Sequence, residues 1–405
     1  MRQLFPTGPE TDARHILAEL TADPDDGPLV CGDERVIDFL TRFARKLLAP
    51  GTARAYPELA SLGFFLRKGE IGKALRSVHT TDGVFRFPRG LAFHVPPANV
   101  DTIFVYSWAL SALAGNRNVV RVSPRTAGAG QAVLDALNEI DVHPAIAQTQ
   151  RMVGYQRDDE ATAALSAACD LRVLWGGDRA IAALRRHPLA PHARELTFPD
   201  RASFAAISLP GWRKASQTER REAVRGFYND AYWFDQAACA SPRAVFWIGE
   251  PAEAPGAQRE FRALLREVLD EQRYVTDPAM AVQQRVAGYG MAADGLASGL
   301  GFDAGVATIQ LAEPGAVPRE WLAAGTFAHA TLRTLPELAK IVRRKDQTLT
   351  QFGFTDDELA RFVRATGGSG VDRIVSFGSA LTFSPVWDGY DLLHEFTRLV
   401  TVRST

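Results

Sequence analysis

Apolar residues in the middle of the chain alternate between short continuous runs and stretches with helical spacing. A strand signal at residues 90–100 is followed by a continuously apolar stretch, 102–114, which predicts a buried helix. The alternation continues through strand 118–122, helix 127–140, strand 171–175, helix 178–186 and strand 204–209. Strands that alternate with helices are typical of βαβ units, so this pattern predicts a parallel sheet covered on both faces.

A second region of the same kind follows residue 210. The pattern predicts helix 217–232, strand 244–249, helix 255–270, strands 307–312 and 327–332, helix 335–342 and a short apolar strand at 399–402. Helical spacing dominates the first ninety residues, and the glycine-rich stretch 288–301 is interpreted as a loop. We therefore expect two α/β domains, with boundaries at 1–210 for the N-terminal helices and first domain, 211–370 for the second, and 371–405 for a C-terminal return segment.

Composition excludes several classes of protein. The 405 residues are 46% hydrophobic and 23% charged with a net charge of -1, so no strong field attracts nucleic acid or an anionic membrane. Cys31, Cys169 and Cys239 show neither metal-ligand spacing nor an even count, which predicts no metal site, no disulfide framework and a reducing, cytoplasmic setting. The N-terminus lacks a signal-peptide hydrophobic region, and the longest apolar run is too short to span a bilayer.

The stretch DQAACASPR places Cys239 where a predicted helix gives way to a predicted strand. A thiolate held in such a turn is within reach of a substrate and can attack an acyl carbon. A packed and inert cysteine is the alternative, because free cysteine is among the residue types most often buried. Taken alone, the residue leaves both interpretations open.

Polar residues follow the predicted strands of the first domain. Asn99 comes between a strand and the buried helix, where its amide either donates to a developing oxyanion or caps the helix. Arg121 lies at the end of strand 118–122, where it either binds a phosphate or lies in solvent. No acidic residue follows this strand and Arg125 is near, which favours the 2′-phosphate of NADP over the free ribose of NAD.

Gly176 and Gly177 follow strand 171–175. Their small size allows backbone amides to approach a pyrophosphate, although an ordinary tight turn has the same composition. A complete G-x-G-x-x-G fingerprint is absent from the sequence. Glu195, in the stretch HARELTF, is either a proton-transferring carboxylate or a surface charge. His94 and His192 are expected to be structural or surface residues.

Read in chain order, these segments resemble the aldehyde dehydrogenase superfamily. The segments are Asn99 after a strand, AGNRNVVRVS, the glycine pair and QAACASPR around the cysteine. The stretches CASPR, WGGDRAI, DRIVSFGSAL and WDGYDLL resemble one branch more closely, the LuxC-type acyl-CoA reductases. The resemblance runs from about residue 90 to the C-terminus. It implies an aldehyde-dehydrogenase-like α/β fold with a Rossmann-like cofactor domain, a catalytic domain and a C-terminal oligomerisation strand.

The resemblance also implies a reaction, the NADPH-dependent reduction of an acyl thioester to an aldehyde through an acyl-cysteine. Cys239 would be the nucleophile, and Asn99 with the backbone N–H of Cys239 would stabilise the oxyanion. The nucleotide site would comprise Arg121, Ser123, Trp175, Gly176 and Gly177. Glu195 lies near the position of the superfamily's water-activating glutamate, but its ELTFPD context departs from the ELGGK of hydrolytic members, and a thioester reductase needs no such base.

Two other functions are compatible with the same segments. One is a non-acylating aldehyde dehydrogenase, which would use Glu195 to oxidise aldehydes to acids. The other is a catalytically silent subunit that binds an acyl carrier. For the thioester reductase the expected partners are acyl-coenzyme A or an acyl-carrier-protein thioester, with no nucleic acid and no membrane. The apolar tail RLVTVR at residues 398–403 is expected to pair with another subunit in a homodimer or homotetramer.

Overall fold

The computed structural model describes residues 1–78, 83–97, 103–123, 126–156, 158–303 and 305–403. The strands are β1 (Arg2–Phe5), β2 (Val84–Pro88), β3 (Leu91–Val95), β4 (Arg117–Val122), β5 (Gln150–Gly154), β6 (Leu171–Trp175), β7 (Arg194–Phe198), β8 (Ala202–Ser208), β9 (Pro242–Ile248), β10 (Ala297–Asp303), β11 (Val306–Leu311), β12 (Thr326–Leu332), β13 (Asp346–Phe352), β14 (Arg373–Ser376), β15 (Val386–Trp387), β16 (Tyr390–Asp391) and β17 (Thr397–Thr401). The helices are α1 (Ala13–Thr21), α2 (Glu34–Leu47), α3 (Pro50–Ala55), α4 (Pro57–Phe65), α5 (Lys68–Arg76), α6 (Ile103–Leu113), α7 (Ala129–Asn138), α8 (Pro144–Thr149), α9 (Asp159–Ala168), α10 (Asp178–Leu184), α11 (Leu209–Lys214), α12 (Gln217–Tyr232), α13 (Ala254–Gln272), α14 (Pro278–Ala293), α15 (Leu335–Ala339), α16 (Asp356–Thr366) and α17 (Leu392–Glu395). Among these described helices, none has both the length and the apolar character needed to cross a bilayer.

The chain forms two compact units. Unit 1 comprises Met1–Pro199 with Phe383–Thr405, and unit 2 comprises Asp200–Thr382. The predicted boundary at 210/211 differs from this division because β8 belongs to the sheet of unit 2. The return to unit 1 also begins later than residue 371, because β14 still pairs with β13 of unit 2.

Unit 1 is built on a six-stranded sheet of order β1-β5-β4-β3-β6-β7. The strands β3 to β7 are mutually parallel, and only β1 at the edge is antiparallel. Every residue of α6 is buried, as the continuous apolar run predicts, and this helix joins β3 to β4. A parallel sheet needs cover on both faces, and a helix that is apolar all round provides such cover.

Two peripheral features complete unit 1. The amphipathic helix α2 begins at Asp33, whose carboxylate accepts the backbone N–H of Arg35, and it buries one apolar face. The C-terminal strand β17 pairs antiparallel with β2 and forms a two-stranded ribbon. The predicted strand at 399–402 is therefore present, and one of its edges is occupied within the chain itself.

Unit 2 is built on a seven-stranded sheet of order β10-β11-β12-β9-β8-β13-β14. Its strands are parallel except β10, which forms an antiparallel pair with β11. Helix α12 occupies the predicted range 217–232 and starts with a capping box between Ser216 and Glu219. Two apolar clusters cover the two faces of this sheet, one of which includes α12 and α13.

The interpretation of residues 288–301 as a loop was wrong. Helix α14 continues to Ala293, and β10 begins at Ala297. The helix starts with an Asp277 cap and a proline in its first turn, which are strong start signals that outweigh the internal glycines. Gly288 has a packing role, because a Cβ at this position would stand 2.9 Å from the ring of Phe302 on β10.

Candidate active site

The turn that carries Cys239 connects α12 to β9 in unit 2, as the sequence predicts. Asp235 and Gln236 have φ values of 48° and 61°, a left-handed conformation that non-glycine residues adopt only when their surroundings support it. The buried Gln236 amide supplies that support. Its Nε2 donates to the carbonyls of Pro242 and Thr326 at 2.7 and 3.0 Å, and its Oε1 accepts the backbone N–H of Thr326 at 3.1 Å.

Cys239 itself is half-buried and is not part of a disulfide. Its backbone carbonyl accepts a hydrogen bond from Ser203 Oγ at 2.6 Å, and the same hydroxyl accepts the backbone N–H of Thr348 at 3.1 Å. These hydrogen bonds therefore anchor the turn to the amino ends of strands β8 and β13 in unit 2. By contrast, Cys169 is fully buried, and burial raises the pKa of its thiol to about 12. Of these two thiols, only that of Cys239 is partly exposed.

Arg243 is a charged residue that the sequence analysis did not assign. It lies on β9, four residues after Cys239, and only 9% of its surface is exposed. One guanidinium nitrogen donates to the carbonyl of Arg319, and among the described residues its Nε has no hydrogen-bond partner. Burial lowers the pKa of this guanidinium, and the strongest opposing influence is its attraction to Cys239. A buried positive charge of this kind favours the thiolate form of a neighbouring cysteine.

Helix α12 is also tied to the SFGSAL segment. The buried carboxylate of Asp230 accepts the backbone N–H groups of Gly378 and Ala380 at 2.7 and 2.8 Å. Burial raises the pKa of this carboxyl to about 7, partly offset by these two hydrogen bonds. The backbone carbonyl of Asp230 accepts Ser241 Oγ, two residues after Cys239. One residue of α12 thus connects the cysteine turn to a segment that carried the family resemblance.

The described residues that were predicted to bind the nucleotide lie at the carboxyl ends of the parallel strands of unit 1. The connection from β3 leads to β4 on one side, whereas β6 and β7 lie on the other side of β3. Connections that diverge in this way define a topological switch point, and ligands of open α/β sheets bind there beyond the carboxyl ends of the strands. Trp175 ends β6, and Arg121 and Ser123 lie at the end of β4. Asn99 follows β3 in the chain but lies outside the described residues, as does Arg125.

Arg121 and Gly176 each have a feature that suits this edge. The Arg121 guanidinium lies over the ring of Tyr155 at 4.9 Å, and within the described part of the chain it has no carboxylate partner. Gly176 has a φ of 151°, which favours glycine, and its N–H donates to the carbonyl of Phe198. Gly177 caps the short helix α10 in an extended conformation.

Trp175 is more enclosed than a residue that stacks on a cofactor would be. Its ring is 7% exposed and is stacked on Phe198 at 3.7 Å, and its Nε1 donates to Ser107 Oγ at 3.2 Å. These contacts identify a residue that orders the end of β6. The prediction that Trp175 also contacts a nucleotide stays a prediction.

Within unit 1, Glu195 lies at the opposite end of the strands from the described residues predicted for the nucleotide site. It is the second residue of β7, at the amino end of the parallel strands, whereas Trp175 and Arg121 lie at the carboxyl ends. Its carboxylate is held by two guanidinium groups, with 2.5 Å to Arg172 Nη2 and 2.6 Å to Arg185 Nε. Arg172 is 97% buried, so this ion pair satisfies a buried charge. His192 is exposed and lies 3.3 Å from Asp170, as expected of a surface residue.

Solved structures show which class of protein this fold defines. The NAD-dependent aldehyde dehydrogenase of Sinorhizobium meliloti is similar with a TM-score of 0.68 and 15% identity, over 98% of this chain and 88% of that one. The aldehyde dehydrogenase KauB of Pseudomonas aeruginosa is similar with a TM-score of 0.67 and 11% identity, over 99% and 89%. The chain therefore has the aldehyde dehydrogenase fold, and the predicted fold class is confirmed.

Within this class, the chain belongs to the LuxC family of acyl-CoA reductases, whose family model matches residues 68–399. The long-chain acyl-protein thioester reductase of Photorhabdus laumondii is 23% identical over 321 residues, which cover 78% of this chain and 63% of that protein. The protein of the same name from Aliivibrio fischeri is 25% identical over 166 residues, which cover 40% and 33%. The chain thus spans less than two thirds of the length of these curated relatives.

Proposed function

We propose that the protein reduces an acyl thioester to an aldehyde with NADPH, through a covalent acyl-Cys239 intermediate. The observation that carries the proposal is the Cys239 turn, which is held by Gln236 and Ser203 next to the buried charge of Arg243. Membership of the LuxC family and the names of its long-chain acyl-protein thioester reductases support the same reaction. The acyl donor is a thioester of coenzyme A or of a carrier protein.

The first half of the reaction belongs to Cys239. Its thiolate attacks the carbonyl carbon of the thioester, and the tetrahedral oxyanion collapses as the bond to the donor sulfur breaks. The donor leaves as a thiolate and takes up a proton, so the acyl group is transferred from one sulfur to another at little cost in energy. We assign the oxyanion hydrogen bonds to the backbone N–H of Cys239 and to the Asn99 amide.

The carboxyl ends of the parallel strands in unit 1 suit the binding of a dinucleotide. The switch point between β3 and β6, the glycine at residue 176 and the Arg121 guanidinium suit the pyrophosphate and phosphate groups of NADPH. Among the described residues, no carboxylate pairs with this guanidinium. We assign Ser123, Trp175 and Gly177 to the same site. When bound, the reduced dinucleotide supplies the hydride for the acyl carbon. The resulting thiohemiacetal then releases the aldehyde and regenerates the Cys239 thiolate.

A panel of acyl thioesters tests this proposal. Purified protein is mixed with NADPH or NADH and with acyl-coenzyme A of increasing chain length, and absorbance of the reduced nicotinamide is followed. We expect NADPH consumption with aldehyde formation, and we expect Cys239→Ala to lose it at least about a thousandfold. Cys169→Ala is the matched control and should retain activity. Intact-mass analysis without NADPH should detect the acyl group on Cys239. A fully active Cys239→Ala variant would remove the basis of the proposal.

The other two functions have less support. Aldehyde oxidation to an acid needs a base that activates water, and the Glu195 carboxylate is engaged by Arg172 and Arg185. A silent acyl-carrier-binding subunit needs no reactive thiol, yet the chain supports a strained turn around Cys239. Absence of an acyl adduct on Cys239 in the mass measurement would favour the silent subunit.

We also propose that the protein is a homodimer or homotetramer assembled through the β2–β17 ribbon. Phe85, Phe87 and Val400 lie on one face of this ribbon and are 51%, 42% and 39% exposed. A two-stranded ribbon is marginally stable unless one face packs against other structure. Contact with a second copy of the chain would cover this face.

A further inference from the structure

Unit 2 contains a cavity that the proposed reaction does not use. It has a volume of about 280 Å³ and lies between helix α13 and the strands β10, β11 and β12. We call it the α13 cavity. Exposed residues at its rim, Arg259 and Gly299, open it to solvent. Its size is close to the lower limit of small-molecule sites, roughly 300 Å³.

The polar lining of the α13 cavity is rich in hydrogen-bond donors. Arg262 lines it from α13 and reaches towards β10, where a Cβ on Gly301 would stand 3.4 Å from its Nη1. Thr308 and Gln310 line it from β11. Among the described residues no carboxylate lines this cavity, and none lies within ion-pair distance of Arg262.

The nearby carboxylates have other partners. Asp303 pairs with Arg266 at 2.8 Å, and Glu260 accepts hydrogen bonds from Trp212 and Arg220. The positive charge of Arg262 is therefore not neutralised by these neighbours. A guanidinium that lines a cavity without a counter-ion is suited to an anionic ligand.

His329 adds a second donor from the floor of the cavity. It is 93% buried, and its Nδ1 accepts the indole N–H of Trp247 at 3.0 Å. The ring proton of the neutral imidazole must therefore be on Nε2. No acceptor in the described part of the chain lies within hydrogen-bonding distance of Nε2. Burial and the nearby charge of Arg262 lower the pKa of His329 to about 4, so this donor is neutral at pH 7.

Apart from Gln258 on α13, the rest of the lining is apolar, with Phe261 and Phe327 as its largest side chains. We propose that the α13 cavity binds a small amphipathic carboxylate, with its anionic group at Arg262 and His329 and its apolar part against Phe261 and Phe327. Thr308 and Gln310 provide further hydrogen bonds to the anionic end. The proposal is independent of the reaction at Cys239, because the cavity is lined by other elements of unit 2.

Calorimetric titration with four probes tests the proposed ligand class. Octanoate carries both features, acetate lacks the apolar part, octanol lacks the charge and octylammonium reverses it. We expect octanoate to bind at one site, and each of the other three at least about tenfold more weakly. Absence of octanoate binding would overturn the proposal, and so would octanol or octylammonium binding as tightly as octanoate.

Variants locate the site. Arg262→Gln should weaken octanoate binding about tenfold or more, because it removes a charge-assisted hydrogen bond. Thr308→Val keeps the side-chain shape and should weaken binding severalfold. Lys340→Gln removes one exposed positive charge elsewhere in unit 2 and should leave the affinity unchanged. Cys239→Ala should also bind octanoate normally, which separates this cavity from the proposed active site. Equal affinity in Arg262→Gln and Lys340→Gln would contradict the assignment.

Discussion

Arg243 carries a buried positive charge close to Cys239. It is 91% buried, it donates to a neutral carbonyl, and its attraction to Cys239 is the largest influence opposing the pKa decrease that burial causes. A buried charge is costly unless something negative stabilises it. If Cys239 is the proposed nucleophile, its thiolate and the guanidinium would stabilise each other, and Arg243 would be a positioning residue that acts through Cys239.

Replacement of Arg243 should make Cys239 less nucleophilic. For Arg243→Met we expect alkylation of Cys239 by iodoacetamide at pH 7 to slow by about tenfold, because the nearby charge that favours the thiolate is lost. Arg243→Lys keeps a charge and should retain most of the rate. Peptide mass spectrometry over a range of pH measures each cysteine separately. The buried Cys169 should stay unmodified as long as the variant is folded. An unchanged pH profile for Cys239 in Arg243→Met would show that Arg243 is only structural.

Glu195 is predicted to affect stability and not the reaction. Glu195→Gln leaves the 97% buried Arg172 without its charged partner, so the free energy of unfolding should fall by about 1–3 kcal/mol. Thioester reduction at 25 °C should stay within about twofold of the wild type. Urea unfolding and the NADPH assay measure the two effects. The exposed Glu250→Gln is a matched control for stability, and a large loss of activity in Glu195→Gln with normal stability would restore Glu195 as a catalytic residue.

At the residue scale, the sequence predicted the turn that carries Cys239 but not the charges around it. Cys239 was recognisable because the flanking QAACASPR resembles a family segment. Arg243 belongs to the same segment, yet its burial depends on contacts with Arg319, which is 76 residues away in the chain. The surroundings of Glu195 were unpredictable for a similar reason. Its strand position and its two arginine partners are set by strand pairing, which local sequence does not show.

Strand β3 provides the central element of unit 1, and a buried polar network fixes it to α6 and β4. His94 Nε2 lies 2.9 Å from Asn118 Oδ1, which can only accept, so Nε2 carries the proton and Nδ1 accepts from Ser107 Oγ at 2.8 Å. Ser107 in turn accepts from Trp175 at the end of β6. The network orders the strand ends that flank the switch point, so His94 has the structural role that the sequence analysis expected.

The buried His94 makes the stability of unit 1 sensitive to acid. Burial lowers the pKa of His94 from 6.5 to about 4. Below pH 6.5 the His94 side chain binds a proton in the unfolded chain but not in the folded chain. The contribution of His94 to stability is therefore constant above this pH and falls between pH 6.5 and 4. The expected loss between pH 7 and pH 5 is about 2 kcal/mol from this group.

Urea unfolding of His94→Gln at the two pH values checks this expectation. The variant should be less stable than wild type at pH 7, but it should lose about 2 kcal/mol less on going to pH 5. His192→Gln, at an exposed histidine, should show the full wild-type loss. Identical pH dependence in wild type and His94→Gln would mean that His94 does not titrate as its burial requires.

Elements with one dominant pattern were predictable, and those with mixed signals were not. The strand at 171–175 and the helix at 217–232 match β6 and α12 residue for residue. The end of helix α14 and strand β10 were missed because the glycines of residues 288–301 were interpreted as a sign of a loop. Gly288 and Gly301 are accommodated because Phe302 and Thr308 pack against them, and these are tertiary contacts.

At the scale of the whole molecule, the two α/β units were predictable but their limits were not. Strand β8 follows β7 after only three residues, so nothing in the local pattern separates the two sheets. Strand pairing decides which sheet β8 belongs to, because β8 pairs with β9 on one side and with β13 on the other, and both are strands of unit 2. The C-terminal strand poses the same problem, since its intramolecular partner β2 lies more than 300 residues earlier.

The β2–β17 ribbon leads to the last prediction, which concerns assembly. Cross-strand pairing places Phe85 opposite Val400 and Phe87 opposite Arg398, so the two aromatic rings share one face with an apolar neighbour. An uncovered face of this kind, with one free edge on each strand of the described ribbon, favours association with a second copy of the chain.

We expect wild-type protein to sediment as a dimer or tetramer and the double variant Phe85→Ser/Phe87→Ser to sediment as a monomer at the same concentration. Both changes lie on the ribbon surface, so the circular dichroism spectrum should be unchanged. Phe64→Ser is the matched control, because Phe64 is 50% exposed on α4 and lies outside the ribbon. It should assemble as wild type does. If the double variant keeps the wild-type mass, or if wild type is itself monomeric at micromolar concentration, the ribbon does not hold subunits together.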